Sequence, residues 1–495
     1  MPRDFVQIHP ADGVAVALRT LARHERIEAA DLRIELLDEI PAGHKFALKD
    51  AEPGEKILKY GFAIGRASRA IRAGEWVHTH NLATGLSEKP SYSYTPNFER
   101  IPAVPPEPFM GYAREDGTVG IRNEIWIIPT VGCVNGVAER LARENSAFAQ
   151  SAGVDGVYAF AHPYGCSQLG GDHETTRKIL ANLARHPNAG GVLVLGLGCE
   201  NNSLETLREI LADRPQESIR FLNCQDTANE LETGSLLIRE LIQYAARFKR
   251  TPAPVSRLLV GLKCGGSDGL SGITANPAVG AFSDSLIAQG GSAILTETPE
   301  MFGAESILMN RALSLEIFEK IVDMINSFKD YFTSHGQPVY ENPSPGNKLG
   351  GISTLEDKSL GCVQKGGTAP VSGVIAYGER VETSGLTLLS GPGNDLVSAT
   401  ALAAAGAHMI LFTTGRGTPF GAPVPTLKIS TNTALFRSKP GWIDFDAGGI
   451  AEGTPAGEVS KQLFSLVIST ANGQKAKNEI NQYREIAILK SGVTL

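Results

Sequence analysis

One pattern constrains this chain more than any other. Short, nearly continuous apolar runs are each followed by a glycine-bearing turn and then by a stretch of helical periodicity. IWIIPTVGC precedes VNGVAERLARE, and GVLVLGLGCE precedes SLETLREILADR. An apolar run without polar alternation is a strand covered on both faces, and strands joined through helices run parallel. The pattern therefore predicts a doubly wound, mostly parallel α/β fold. The unit recurs in FLNCQDT, RLLVGLKCGGSDG, AILTETPEMFG and HMILFTTGRGTPFG, with a long helical stretch around 304–335 among them.

Residues 1–90 follow another rhythm: LRIELLDEI, GHKFALKD, EKILKYGFAIGRA and EWVHTHNL are short apolar runs separated by glycine and polar turns. That predicts a small, mostly β module. A proline-rich linker over 91–110 follows, where the missing backbone donors favour extended chain. At 495 residues the chain exceeds what one core can serve. FKRTPAPVSR, a polar break before a new strand, divides the remainder into α/β domains at 111–250 and 251–495.

Charge narrows the function. The formal net charge of -7 gives no basic field for nucleic acid phosphates or anionic lipid, so neither partner is expected. The N-terminus lacks the apolar core of a signal peptide and no apolar run is long enough to span a bilayer, so a cytoplasmic protein is expected. Six cysteines are too few for a disulfide scaffold, which makes their placement the informative part.

Ligands of open parallel sheets bind beyond the carboxyl ends of the strands. Four such ends carry cysteine: Cys133, Cys166, Cys199 and Cys264, each close behind an apolar run and a glycine. The plain alternative is four small apolar residues packed near strand ends. The sharper expectation is a thiolate and imidazole metal site, with His162 and His173 flanking Cys166. The spacing lacks the paired CxxC of a structural zinc site, and an iron–sulfur cluster would need the fold to bring three or four of these thiols together. Glu200, Asn201 and Asn202 after Cys199, and Ser267, Asp268 and Ser271 after Cys264, are short polar groups among glycines, suited to a small polyhydroxy ligand. No GxGxxG follows the first strand of the α/β region and no GxxxxGK[ST] occurs, so no nucleotide is expected.

Elsewhere, His78 and His80 in VHTHN share one strand face, with Asn81 beside them, and His44 and Lys45 lie at a turn before an apolar run. Lys348, between prolines and glycines, and Arg416 in TTGRGTPFG could grip a carboxylate. Asn394 and Asp395 stand at a probable helix start in SGPGND.

These strings, together with RNEIWIIPTVGCVNG, YGCSQLGGDH, GLKCGGSDGLSGITANP, ENPSPGNK, TLEDKSLGC, WIDFDAG and the closing YREIAILKSGVTL, make a chain that resembles the altronate/galactarate dehydratase family along nearly its whole length. The resemblance implies an N-terminal β-clip module of the SAF type. It also implies removal of water from D-altronate to give 2-dehydro-3-deoxy-D-gluconate in hexuronate breakdown, with Fe2+ as the metal and Mn2+ as its substitute. HTHN favours the altronate branch. On that chemistry His44, His80 and Asp268 are expected to supply acid and base. Cys133, His162, Cys166, Cys199 and Cys264 form the expected metal neighbourhood. His78, Asn81, Glu200, Asn201, Lys348 and Arg416 are expected to hold the substrate. Dehydration of another sugar acid such as galactarate, or a non-catalytic sugar-acid binding protein, stays open here, as does assembly into a homo-oligomer.

Overall fold

The computed structural model describes residues 4–29, 32–86 and 90–495. In the N-terminal module, strands Phe5–Val6, Val14–Ala17, Lys45–Ala47 and Trp76–Val77 form one antiparallel sheet. A hairpin, Arg26–Ala29 with Leu32–Glu35, and a three-stranded sheet, Lys56–Lys59, Phe62–Ala67 and Leu82–Ala83, complete it. Val14–Ala17 is buried throughout because both faces are used. Ala15 and Ala17 pack with Leu21, Leu36 and Phe46 in the module's own core, whereas Val14 joins the core of the C-terminal region. The module is thus seated on the large domain rather than tethered to it.

That seating is also ionic. Asp357 accepts from Lys45 Nζ at 2.8 Å and from Lys59 Nζ at 3.0 Å, and all three side chains are essentially inaccessible. The segment expected as a linker has no regular structure over 90–107 but lies on the C-terminal region, with Tyr92 Oη donating to Glu305 and Tyr94 Oη to the Ala312 carbonyl.

The strand Pro108–Ala113 then pairs antiparallel with Arg250–Pro254, so the chain enters and leaves the middle unit side by side. The proline-containing break expected near 250 is therefore an edge strand. Proline is tolerated there because the outer edge needs no donor. Between these strands lie β1 (Glu124–Pro129), β2 (Val157–Ala159), β3 (Ala189–Gly196) and β4 (Ile219–Asn223), all parallel in the order β2-β1-β3-β4. Every residue of β1 and β3 is buried, which their unbroken apolar runs dictate.

The C-terminal region holds a seven-stranded parallel sheet. It contains β5 (Leu259–Cys264), β6 (Ser292–Leu295), β7 (Val371–Ile375), β8 (Leu386–Leu389), β9 (Met409–Thr414), β10 (Thr426–Ser430) and β11 (Phe445–Asp446), ordered β7-β8-β6-β5-β9-β10-β11. A β module followed by doubly wound parallel α/β sheets is the fold the sequence predicts. No helix among the described residues is long and apolar enough to cross a membrane.

Two domain junctions are held by uncharged histidines. His408 Nδ1 accepts from Leu259 N at 3.0 Å and its Nε2 donates to the Val119 carbonyl at 2.8 Å, joining the C-terminal sheet to the middle unit. His78 is bonded to the Lys348 carbonyl at 2.9 Å and to Ser353 Oγ at 3.2 Å. Burial holds each down at about 4, helped at His78 by Lys45 and His44 and opposed at His408 by its backbone bonds. A histidine whose folded pKa is depressed contributes full stability above its unfolded value near 6.5, and loses it as pH falls toward 4. Each should lower stability by about 2 kcal/mol between about pH 8 and about pH 5. Urea midpoints measured across that range check this, and a flat profile would refute it.

Candidate active site

Around β5 the strand order reverses: β6 lies on one side and β9 on the other, so the loops leaving β5 and β9 diverge and open a crevice at their carboxyl ends. The two loops are tied where they leave the sheet, since Gly415 N and Arg416 N both donate to the Gly266 carbonyl, at 3.0 and 3.1 Å. The crevice is a cavity of about 470 Å³ whose wall includes Cys264, Glu300, Asn342, Lys348, Lys358 and Asp395.

Its floor is a buried lattice of opposite charges. Lys263, inaccessible at the end of β5, pairs with Glu297 and lies 3.0 Å from Asp395 Oδ1. Lys358 Nζ sits 2.8 Å from Glu300 Oε1 and donates to Asn342 Oδ1 at 3.0 Å. Lys365 Nζ donates to Cys264 Sγ at 2.9 Å. Cys264 Sγ lies 3.4 Å from Cys362 Sγ, and the two thiols approach Glu300 Oε2 at 3.1 and 3.2 Å. Burial alone would raise Glu300, but Lys358, Lys263 and Lys365 outweigh it and hold the carboxyl at about 2, ionised at neutral pH. Glu297 goes the other way: burial, Cys264 and Glu300 push it well up against two lysines. The neighbouring Cys362 thiol and burial push Cys264 well up as well, so Cys264 stays a thiol. Ligand atoms of Cys264, Glu300 and Cys362 lie within 4.8 Å of one another, close enough to hold a metal ion.

At the rim, Lys348 and the exposed Arg416 have no side-chain hydrogen bond or ion pair among the described residues. Arg416 packs its Cδ and Nε beside Gly346, on the short helix Pro345–Leu349 that carries Lys348. These are the two cations the sequence offers for a carboxylate.

The other expected residues distribute as follows. His44 accepts from Trp76 Nε1 at 3.2 Å and meets the Leu349 carbonyl at 3.2 Å, while His78 holds the Lys348 carbonyl, so both position the segment that carries Lys348. Asn81 is wholly buried, accepting from His78 N and donating to the Trp76 carbonyl, and shapes that turn. His80 is exposed against the Trp76 ring. The expectation that Asp268 acts as acid or base meets a half-buried carboxylate whose oxygens already accept from Leu270 N, Ser271 Oγ, Thr431 Oγ1 and Asn432 Nδ2. It fixes the β5 loop.

The expected common rim for all four cysteines does not form. Cys264 belongs to the seven-stranded sheet, whereas Cys133, Cys166 and Cys199 are exposed at the ends of β1, β2 and β3 in the middle unit. His162 is not turned to them: it is buried, its Nε2 donating to the Pro129 carbonyl at 2.8 Å and its Nδ1 accepting from Tyr164 N at 3.2 Å. Glu200 folds back to accept from Thr130 Oγ1, Leu197 N and Gly198 N, and Asn201 Oδ1 accepts from Ser167 N at 3.2 Å. The residues sequence reasoning missed are Lys263, Glu297, Glu300, Cys362 and Lys365. Their signal was charge embedded in apolar or glycine-rich strings, as in GLKCGG, TETPEMFG and SLGCVQKGG.

Comparison with known proteins places this architecture. Residues 3–85 match the altronate/galactarate dehydratase SAF domain, 111–246 the second domain of D-galactarate dehydratase/altronate hydrolase, and 255–494 the D-galactarate/altronate dehydratase C-terminal family. The chain is 55% identical to an altronate dehydratase of Bacillus subtilis, with all of both chains covered, and 51% identical to one of Escherichia coli, covering 99% of this chain and 100% of that one. It is 34% identical to the galactarate dehydratase (L-threo-forming) of Escherichia coli over 95% of this chain and 93% of the relative. With its module order, its crevice and these full-length matches taken together, the chain belongs to the altronate/galactarate dehydratase family.

Proposed function

We propose that this protein is a cytoplasmic hydro-lyase that converts D-altronate to 2-dehydro-3-deoxy-D-gluconate and water. The observation that carries the reading is the cavity at the β5 switch point. It offers two unpaired cations at its rim, a paired lysine in its wall and a partly accessible carboxylate, Asp395, opposite. A sugar acid has one carboxylate and a row of hydroxyls, and this wall has donors and acceptors for both.

Lys348 and Arg416 grip the substrate carboxylate and so fix C2. Asp395, whose side chain is 33% exposed beside Lys263, takes the C2 proton. Lys358 gives a proton to the C3 hydroxyl, which leaves as water as the C2–C3 double bond forms. The enol then tautomerises to the 2-keto acid, its hydroxyl proton replaced by one at C3. Iron, with manganese as its substitute, would stabilise the negative charge that develops on the carboxylate as C2 is deprotonated. The buried Cys264, Glu300 and Cys362 have the spacing for one ion, yet Lys365 and Lys358 already serve Cys264 and Glu300, so a cation there would have to displace ammonium groups.

Formation of a 2-keto-3-deoxy acid from D-altronate, compared with galactarate under the same conditions, tests the assignment. Arg416→Ala should raise KM about 10- to 100-fold with a smaller effect on kcat, the loss of one charged hydrogen bond to the substrate. Binding of D-altronate without turnover by the metal-replete protein would sink the hydro-lyase reading.

A further inference from the structure

The three exposed thiols of the middle unit stand apart from the cavity floor and are not used by the reaction as drawn. Each follows a glycine, and each lies in the loop leaving one of three adjacent parallel strands: Gly165-Cys166 after β2, Gly132-Cys133 after β1 and Gly198-Cys199 after β3. The chain runs from β1 to β2 on one side and returns to β3 on the other, so these loops flank the switch point of this smaller sheet.

They are also stapled together. Gly132 N donates to the Tyr164 carbonyl at 2.9 Å and Asn202 N to the Gly165 carbonyl at 3.1 Å. Asn202 Nδ2 donates to the Thr130 carbonyl at 3.2 Å. Gly165, at φ +100°, lies so close to the Thr130 carbonyl and the Val131 Cα that a Cβ there would collide with backbone. The next loop position but one, Ser167, is held left-handed at φ +61° without being glycine, a conformation that costs energy and recurs at functional sites. The geometry therefore enforces contact between the loops that carry Cys133 and Cys166, and ties the Cys199 loop to both.

The thiols themselves have only loose partners, Ser167 Oγ at 3.8 Å from Cys166 Sγ and Gln225 Nε2 at 3.8 Å from Cys199 Sγ. Two buried polar atoms in the same loops, Gln168 Nε2 and Asn202 Oδ1, have no hydrogen-bond partner among the described residues. By contrast Cys224, at the end of β4, is packed into the apolar cluster of the sheet, and burial, with Glu230 and Glu200, pushes it up to about 11.

Size decides what such a trio can hold. A single ion with sulfur bonds of about 2.3 Å needs its thiolates within about 4.6 Å of one another. Among the described residues the group that meets a 4.8 Å limit is Cys264, Glu300 and Cys362, so the three exposed sulfurs are spread more widely than that. On three adjacent strands, each about 4.8 Å from the next, the thiols spread over more than one ion can reach, which suits a cluster held by several thiolates.

We propose that Cys133, Cys166 and Cys199 carry a four-iron cluster by three thiolates, leaving the fourth iron without a protein ligand. Gln168 Nε2 would donate to a cluster sulfide, and Asn202 Oδ1 would accept from the water or hydroxyl on the open iron. The placement stands on these loops; that the open iron serves a hydroxy acid rests on the dehydratase reading above. Tyr164 of the Cys166 loop shares an apolar cluster with Tyr377 and Leu396, and Leu396 adjoins the cavity residue Asp395, which puts the two features in one neighbourhood.

The full chain, purified anaerobically or reconstituted with ferrous iron and sulfide, should hold about four irons and about four acid-labile sulfides, with the broad visible absorption of iron–thiolate charge transfer. C133S, C166S and C199S should each lose both iron and sulfide at least about tenfold while their thermal midpoints stay near the parent's, because the side chains are exposed. C224A should keep the cluster. Iron without sulfide, no uptake of either, or a cluster retained in C166S and C199S overturns the proposal. A cluster that loads and is lost as described, in a protein that turns over no sugar acid, upholds the site and sinks the dehydratase reading instead.

Discussion

Replacing Lys358 by methionine is expected to lower kcat for sugar-acid dehydration by about 10²- to 10³-fold, the scale seen when one preorganised donor is removed from developing charge. Lys358 is the one lysine that both lines the cavity and is locked in place, by Glu300 at 2.8 Å and Asn342 at 3.0 Å. Its ammonium cannot be mimicked by the unpaired Lys348, which sits at the rim on a separate short helix, Pro345–Leu349. Removing it also leaves Glu300 with less compensation for burial, so that carboxyl should rise from about 2. A shift of the acid limb of the kcat profile toward neutrality in the variant would report this. Activity within tenfold of the parent would remove Lys358 from the chemistry.

Asp357→Ala should cost at least about 3 kcal/mol, because it strands the buried ammonium groups of Lys45 and Lys59. The charge lies at the seam between the N-terminal module and the C-terminal region, so the expected readout is specific. Limited proteolysis should release the module before the α/β sheets are cut, and the denaturant midpoint should fall. Lys45 also donates to the Gly351 carbonyl at 2.7 Å, next to the segment held by His44 and His78, so the variant should lose substrate binding along with stability. A midpoint unchanged from the parent would mean that the ion triad contributes nothing net.

The fold was legible because its signal is collective. β1, β3 and β9 are apolar at nearly every position and buried at every position, and a run of that kind admits few other readings. The segment from Glu341 to Gly361 reads as a long functional loop by its prolines and glycines, but Ser344 and Thr354 cap two short helices there. Caps are local and easily outvoted by composition. In the sequence, Lys348 and Arg416 stand out as cations among glycines. Glu297, Glu300 and Lys365 do not, because each is a charge whose partner lies far away in sequence: Lys263 to Glu297, Lys358 to Glu300, Lys365 to Cys264. Grouping Cys264 with the other three cysteines has the same root. Four strand ends look alike in sequence, and only the topology says that three belong to one sheet and the fourth to another.

The pairing of Pro108–Ala113 with Arg250–Pro254 has a consequence for how such a chain can be rebuilt. Both passages into the middle unit run through one clasp, yet the unit cannot be cut out there without exposing a core that Trp126, Phe160 and Leu180 share with Leu402 and Phe412. The seven-stranded sheet takes no strand from that portion, but its helix Asp395–Ala404 would lose the apolar cover that Ile179 and Leu180 give it.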